Sequence, residues 1–547
     1  MVLSPELTVA SFSKHFPQSV EIYDTTLRDG NQSVGVNFTS SQKLRVTEAL
    51  IGWGVDYVEG GWPNETNPID LDFFRIAKSL GQESHRRVTA FGMTRRPGVE
   101  PSHDQNLAQL LRAETETVTI FGKSWPLQVE KVLKTTLEEN RKMISESVEF
   151  LKSRDRKVIY DAEHFFDGYA ADPVYALSTL RAAEEAGSQM LVLCDTRGGS
   201  HPLQVYEATR EIIEQAHVPI GIHCHNDRGM ATANSLFAIM AGASHVQGTM
   251  NGLGERVGNA DLIEIIANLH LMGVKTRLDP ARLTSISLFI DEMAGLRNDP
   301  YKPFVGRNAF AHKGGVHGDA VLKTEVAYEF YHPSAFGNER AITVSSQAGR
   351  SSLLATLQRL GFDLPRDDQR LASLLQEIKH LESQGCNLEN AEATLELVVR
   401  RTLEREPEPF HLVKWKADVR HEKGRSIAQC NLTVLIERKQ VRAEAKGNGP
   451  VNAFDQAFQL ALRKHFGSKF SSKLTGFRVK EINSESGTAA RVAVYIDISD
   501  ANQVWTTVAS STNIIEASVK ALIDGYAYGF VRKKPVDRKK AAQSSGE

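Results

Sequence analysis

Short apolar runs of strand length alternate with longer stretches of helical periodicity through the first half of the chain. The strand candidates are VEIYDTT near 20, DYVEGG at 56, RVTAFGM at 87, TVTIFGK at 117, KVIYDAE at 157, MLVLCDT at 190, PIGIHCHND at 219 and SHVQGTM at 244. Amphipathic segments such as SQKLRVTEALIGWG and LEENRKMISESVEFLKS lie between them, and NADLIEIIANLHLMG follows the last. Strands alternating with helices predict a parallel sheet. Eight such units in about 275 residues predict an α/β chain of the (β/α)8, or TIM-barrel, kind. A doubly wound open sheet is the alternative, but no GxGxxG fingerprint follows the first strand.

The barrel is expected over residues 1–285. Residues 286–405 read as a mostly helical linker region punctuated by glycine, with AFAHKGGVHGDAV at 309–321 and the charged helical stretch DDQRLASLLQEIKHLESQG. Proline and acidic residues in EREPEPFHL mark a connection. Residues 409–533 hold a weak internal repeat. Three strand-like runs (FHLVKWKADV, AQCNLTVLIE, VRAEAKG) lead into the helix of GNGPVNAFDQAFQLALRKHFG. Three more (FRVKEIN, ARVAVYIDIS, QVWTTVA) lead into SSTNIIEASVKALIDGYAYGFV. Two βββα units predict an α+β regulatory or dimerisation domain. Residues 534–547 form a basic, polar tail that reads as a solvated end.

Composition narrows the function classes. Lys plus Arg (65) balances Asp plus Glu (67), so no overall basic field points to nucleic acid or an anionic membrane. No apolar run has the length of a membrane span. Four cysteines without a CxxC pair exclude a disulfide scaffold and argue against a structural zinc knot. The N-terminal segment MVLSPELTVASFSKHF lacks a basic stretch followed by an apolar one and is poor in Arg. The expected location is cytoplasmic.

Polar residues collect where barrel strands end, which is where barrel chemistry sits. Strand one ends in Asp24-Thr25-Thr26-Leu27-Arg28-Asp29, strand five in Asp161-Ala162-Glu163-His164 and strand six in Asp195-Thr196. Strand seven carries His223-Cys224-His225, and Asn251 to Asn259 follow strand eight. Side chains alternate on a strand, so His223 and His225 share a face and Cys224 takes the other. Two imidazoles with a carboxylate make a divalent-metal site with open positions, for which Asp29 and Asn259 supply oxygens. The bland reading is a pair of hydrogen-bonded histidines in a polar barrel mouth. Arg28 beside Asp29 suits an oxyanion or a 2-oxo acid, or is simply a salt bridge. Glu163 suits a base, or a hydrogen-bond partner of one. Thr196 suits a substrate carboxylate, or caps a strand end. His317 lies outside the barrel among Gly314, Gly315 and Gly318, which allow close backbone approach. Such a loop could cover a neighbouring barrel's mouth and make the active site shared in a dimer.

DTTLRDGNQ, HCHNDRGMATANS, QGTMNGLGERVGNADL and AHKGGVHGDAVLK, in that order, resemble the 2-isopropylmalate, homocitrate and citramalate synthase family. The resemblance runs from about residue 20 to about 530 and includes GNGPVNA and STNIIEAS of a regulatory domain. EGGWPNETNP, DAEHFFDGY and GNERAITVSSQAGRS resemble the citramalate synthase branch. Two positions depart from related patterns. Trp62 stands in EGGWP where isopropylmalate synthases carry a pattern nearer E-V-G-F-P, and Arg197 stands in DTRGG where the branch usually has D-T-N-G-G.

The resemblance implies a metal-dependent enzyme that condenses acetyl-CoA with a 2-oxo acid. It implies metal ligands at Asp29, His223 and His225, with Asn259 as a ligand or close neighbour, and Mg, Mn or Zn as the ion. Arg28 would polarise the keto group and Thr196 would bind the acid's carboxylate. Glu163 and His317 would remove the acetyl methyl proton, with His317 from the partner subunit of a homodimer and Tyr328 nearby. The expected reaction is acetyl-CoA plus pyruvate to citramalate, serving branched-chain amino acid synthesis (isoleucine or leucine), with feedback by a branched-chain amino acid at 409–533. The alternatives are a 2-isopropylmalate synthase using 2-oxoisovalerate, a carbon–carbon lyase, and a catalytically silent amino-acid sensor.

Overall fold

In the computed structural model the eight apolar runs form a closed barrel. β1 (Glu21–Asp24), β2 (Tyr57–Gly61), β3 (Val88–Met93), β4 (Thr117–Lys123), β5 (Lys157–Glu163), β6 (Met190–Asp195), β7 (Ile220–Cys224) and β8 (His245–Gly248) run parallel in sequence order. β1 pairs with both β2 and β8, which closes the ring. The structure describes residues 16–313, 315–342, 349–403, 408–422, 424–467, 470–500 and 503–532. The N-terminal stretch to residue 15, most of the acidic connection at 404–407, the tail 534–547, Gly314 and residues 343–348 of the branch motif lie outside them.

Barrel strands are covered on both faces, so they read as near-continuous apolar runs and not as strict alternations. β6 is buried at every position and β3 at all but its last. Val58, Val118, Ile120, Leu193 and Ile222 face the surrounding helices in the main core. Tyr23, Ile159, Met190, Val192 and Cys194 form a separate cluster that fills the barrel interior. Each such aliphatic side chain contributes roughly 1.5–3 kcal/mol when fully sealed from water. Cys224 is wholly buried in the helix-facing core, opposite in direction to His223.

The helices start and stop where local chemistry dictates. Thr39 caps α1 (Ser40–Trp53) in a capping box with Gln42. Gly54 ends it at φ 124, where a Cβ would stand 2.8 Å from the Arg277 carbonyl oxygen. Val46, Leu50 and Trp53 bury one face of α1. Asn67 caps α2 (Pro68–Ala77), whose first turn holds Asp70. That aspartate matters below.

Two compact units divide the chain: one runs to Phe310 and takes in Tyr331–Arg340, and the other comprises Ala311–Phe330 and Ala341 onward. The second unit begins with the short strand Ala311–His312, which pairs with Ala341–Ile342, and holds the helices Gly315–Lys323, Arg350–Arg359, Arg370–Ser383 and Glu392–Leu403. It ends in two βββα repeats. Phe410–Glu422, Arg425–Ile436 and Lys439–Gly447 make one antiparallel sheet ahead of helix Pro450–Phe466; Lys473–Glu481, Val492–Ser499 and Val504–Ser511 make the other ahead of helix Ile514–Val531. The two helices share a core of Phe454, Phe458 and Tyr526. The Tyr526 hydroxyl donates to the buried Asp455 at 2.6 Å, joining the repeats. Among the described residues no helix is long and apolar enough to cross a membrane.

Candidate active site

The turn after β1 folds back over the barrel top. Thr26 caps the Asp24 carboxylate through its amide (3.1 Å) and hydroxyl (2.6 Å), and the Thr25 carbonyl accepts from the amides of Arg28, Asp29 and Gly30. Asp29 thereby reaches β7. Its Oδ2 lies 3.4 Å from His223 Nε2 and 4.0 Å from His225 Nε2, and donor atoms of all three residues fall within 4.8 Å of one another. All three residues are buried. Burial opposes the Asp29 charge, but the Arg28 guanidinium at 3.1 Å and the His223 imidazole hold its carboxyl well below the usual range. Burial, aided by the charge of His223, pushes His225 down to about 3, so its imidazole is neutral at pH 7 with a lone pair to give.

Asn259 joins this cluster because the segment after β8 bridges onto the end of β7, residue 259 opposite residue 225. The Asn226 amide donates to the Gly258 carbonyl and the Ala260 amide to the Cys224 carbonyl. Gly258 sits at φ +95, where a Cβ would lie 1.9 Å from the Gly252 carbonyl oxygen. Asn259 Nδ2 donates to the Leu253 carbonyl, while its Oδ1 is buried without a protein hydrogen-bond partner, as is His225 Nδ1. One carboxylate, two imidazoles and an orphaned amide oxygen are a donor set that fits a divalent cation.

Arg28 is gripped from below. It ion-pairs with Glu59 in the middle of β2, and its Cζ lies 3.8 Å over the Phe91 ring. Glu59 is fully buried and accepts from the Tyr23 hydroxyl (2.7 Å) and the Thr25 hydroxyl (3.1 Å). Burial works against the guanidinium's charge, but Glu59 and Asp29 raise its pKa above the ordinary value.

These groups surround a cavity of ≈ 230 Å³. Arg28, Asp29, Glu163, Thr196, His223 and His225 line it on the polar side. Trp62, Phe91 and Phe121 also line it, with the Arg28 guanidinium over the Phe91 ring. Trp62 meets Phe91 and Phe121 edge-on at 5.8 and 5.6 Å, and those two rings stack at 5.5 Å. The loop carrying Trp62 is fixed by a buried ion pair: Lys43 of α1 bonds Asp70 and the Gly60 carbonyl (3.0 Å), and Asp70 accepts from the Trp62 amide at 2.9 Å. The indole N–H donates to Asn106 at 3.1 Å. A Cβ at Gly60 would lie 2.1 Å from the Phe73 ring, so Phe73 packs where a side chain would stand.

Thr196 lies at the cavity with its Oγ1 accepting from the His164 amide at 2.8 Å. Arg197 is not among the cavity-lining residues: its guanidinium lies over Trp125, 5.4 Å from the ring centroid, and 3.6 Å from Asp167. His317 and Tyr328 belong to the second unit, where their rings stack at 4.3 Å.

Glu59, Lys123, Asp161 and Gln247 carry polar roles that the sequence reading left unassigned. Lys123 ion-pairs with Glu163. Gln247 Oε1 accepts a hydrogen bond from His223 Nδ1 at 2.9 Å, and Gln247 Nε2 donates to Asp161 at 3.0 Å. Burial pushes Asp161 up to about 7, opposed by His223 and reinforced by Glu59. With Nδ1 donating to Gln247, Nε2 is the ring nitrogen that faces Asp29 and the one that would be offered to a cation. The register of β7 and β8, which sets residue 223 opposite residue 247, is the signal that finds Gln247.

The fold and this cluster define a parallel (β/α)8 enzyme with a candidate metal centre at its mouth. Residues 19–290 match the HMGL-like family, 304–386 the homocitrate synthase post-HMGL domain-like family, and 389–530 the LeuA allosteric (dimerisation) domain. The chain is 43% identical over 521 residues to an (R)-citramalate synthase from Aquifex aeolicus, covering 94% of this chain and 98% of that protein. It is 42% identical to one from Sulfolobus acidocaldarius (95% and 98% covered) and 39% identical to one from Geobacter sulfurreducens (95% and 99%). The chain belongs to the citramalate synthase branch of the 2-isopropylmalate, homocitrate and citramalate synthase family.

Proposed function

We propose that this chain condenses acetyl-CoA with pyruvate, releasing citramalate and CoA. Near full-length similarity to three citramalate synthases supports the reaction, and the observation that carries the choice of acceptor is the aromatic wall. Trp62, Phe91 and Phe121 line the cavity as one packed cluster of rings, and a packed wall of rings takes a methyl group more readily than a branched chain.

In this reading Asp29, His223 and His225, with Asn259 beside them, would hold a divalent cation, which would supply Lewis-acid polarisation of the keto group. Arg28 gives N–H donors to the keto oxygen as it gains charge. Thr196 binds the acceptor's carboxylate. Glu163 takes a proton from the acetyl methyl, sharing that work with His317 of a partner subunit beside Tyr328. The methyl carbon bonds the keto carbon, the carbonyl π pair moves onto the keto oxygen, and that oxygen takes a proton and stays on the product as its hydroxyl. Water then attacks the thioester carbonyl, the C–S bond breaks, and CoA departs as its thiol.

The proposal keeps the chemistry in residues 1–285, with 286–405 as a connecting region, in a cytoplasmic enzyme that works as a homodimer. Residues 409–533 serve as the regulatory module, where a branched-chain amino acid binds and inhibits. Removing residues after about 405 abolishes that inhibition if the placement is right; inhibition unchanged in the truncated protein refutes it. The acceptor reading is tested by kcat/KM for pyruvate and 2-oxoisovalerate: pyruvate is expected to win, and a preference for 2-oxoisovalerate would overturn it.

A further inference from the structure

Lys123 closes β4 in register with Glu163 on β5. Two residues back on the same face of β4 is Phe121, a wall of the cavity, and the Lys123 ammonium lies 5.3 Å from that ring's centroid; Lys123 is not itself a lining residue, but both of its neighbours, Phe121 and Glu163, are. Its side chain is 14% exposed and Glu163 is 23% exposed, so water screens the pair only partly. Among the described residues Glu163 is its one anionic partner. An ammonium carries three donors, and a single carboxylate does not use them all.

We propose that Lys123 is a further catalytic residue, the cation that receives the enolate oxygen of the acetyl donor. The inference rests on the reading of Glu163 as the base. When Glu163 takes the methyl proton, the C–H pair becomes the enolate C=C bond and the thioester carbonyl pair moves onto oxygen. At that moment Glu163 is neutral and the ammonium has lost its counter-charge, while a new negative charge stands on the thioester oxygen. A lysine already in place transfers its pairing from one oxygen to the other without moving a proton of its own. Such a donor acts in the transition state more than in the ground state, which is where an enzyme gains rate.

The test compares Lys123→Met and Lys123→Arg with wild type in turnover and in binding of carboxymethyl-CoA, an anionic mimic of the enolate, against CoA itself. Lys123→Met is expected to lower kcat by about 10²–10³-fold, the usual loss of one oxyanion donor, with the KM for pyruvate unchanged. It is expected to weaken carboxymethyl-CoA strongly while leaving CoA affinity alone, and Lys123→Arg is expected to recover part of both. Equal weakening of mimic and CoA would assign Lys123 to the nucleotide or to structure, and no change in either would make it a spectator; both outcomes overturn the proposal. Unchanged circular dichroism and divalent-metal affinity exclude a folding defect. Should wild type condense no 2-oxo acid, the proposed reaction fails, while the mimic-against-CoA comparison still judges Lys123.

Discussion

Replacing Trp62 by alanine should change which 2-oxo acid the barrel accepts. The indole N–H donates to Asn106 (3.1 Å) and the backbone amide of Trp62 to Asp70 (2.9 Å), which orients the ring and anchors the loop that carries it. 2-Oxoisovalerate carries two more carbons than pyruvate. Forcing extra methylenes against a packed wall costs roughly 1–3 kcal/mol, and a methylene is worth about 10–200-fold in enzyme selectivity. Trp62→Ala should therefore raise the ratio of kcat/KM for 2-oxoisovalerate over pyruvate by roughly 10–200-fold. The loss of edge-on contacts to Phe91 and Phe121, about 0.5–1.5 kcal/mol each, should also lower stability without unfolding the barrel. Free-thiol release of CoA with each acid at 25 °C measures the ratio, and thermal unfolding checks the fold. A ratio within twofold of wild type would refute the aromatic wall as the basis of acceptor choice.

Other perturbations reach the same machinery from behind. Lys43→Met strands Asp70 as a buried, unpaired carboxylate and should cost roughly 3–5 kcal/mol in urea unfolding; a loss under about 1 kcal/mol would show the pair to be dispensable. Gln247→Leu removes the acceptor that fixes the His223 tautomer and should weaken manganese binding by about 10–100-fold in calorimetry, with no change counting against that role. Gly258→Ala puts a Cβ into the Gly252 carbonyl at a positive φ, so it should displace Asn259 and lower metal affinity; a variant that binds metal like wild type would contradict it.

Local signals made the barrel legible. Eight apolar runs separated by helical periods specify strand and helix through spacing alone, and the βββα repeat showed itself twice in order. Asp29, His223 and His225 stood out because each sits at a strand end and two share a strand face. What the sequence hid depends on register between strands far apart in the chain. Lys123 meets Glu163, and Gln247 meets His223, only once β4–β5 and β7–β8 are aligned. The aromatic wall is assembled from residues that lie within or just after three different strands. Lys43 was hidden for another reason: a lysine on an amphipathic helix reads as solvent-facing, and only its pairing with Asp70 permits full burial. Arg197 stood out as a departure in sequence, yet in space it lies beside Trp125 and Asp167 and does not line the cavity.

The most direct test of the account is CoA release from acetyl-CoA by purified protein with pyruvate, before and after chelation, with the product identified by NMR. Release with citramalate as the product, lost with EDTA and restored by a divalent ion, is the expected result. Release that survives complete removal of metal, or a product other than citramalate, would contradict it.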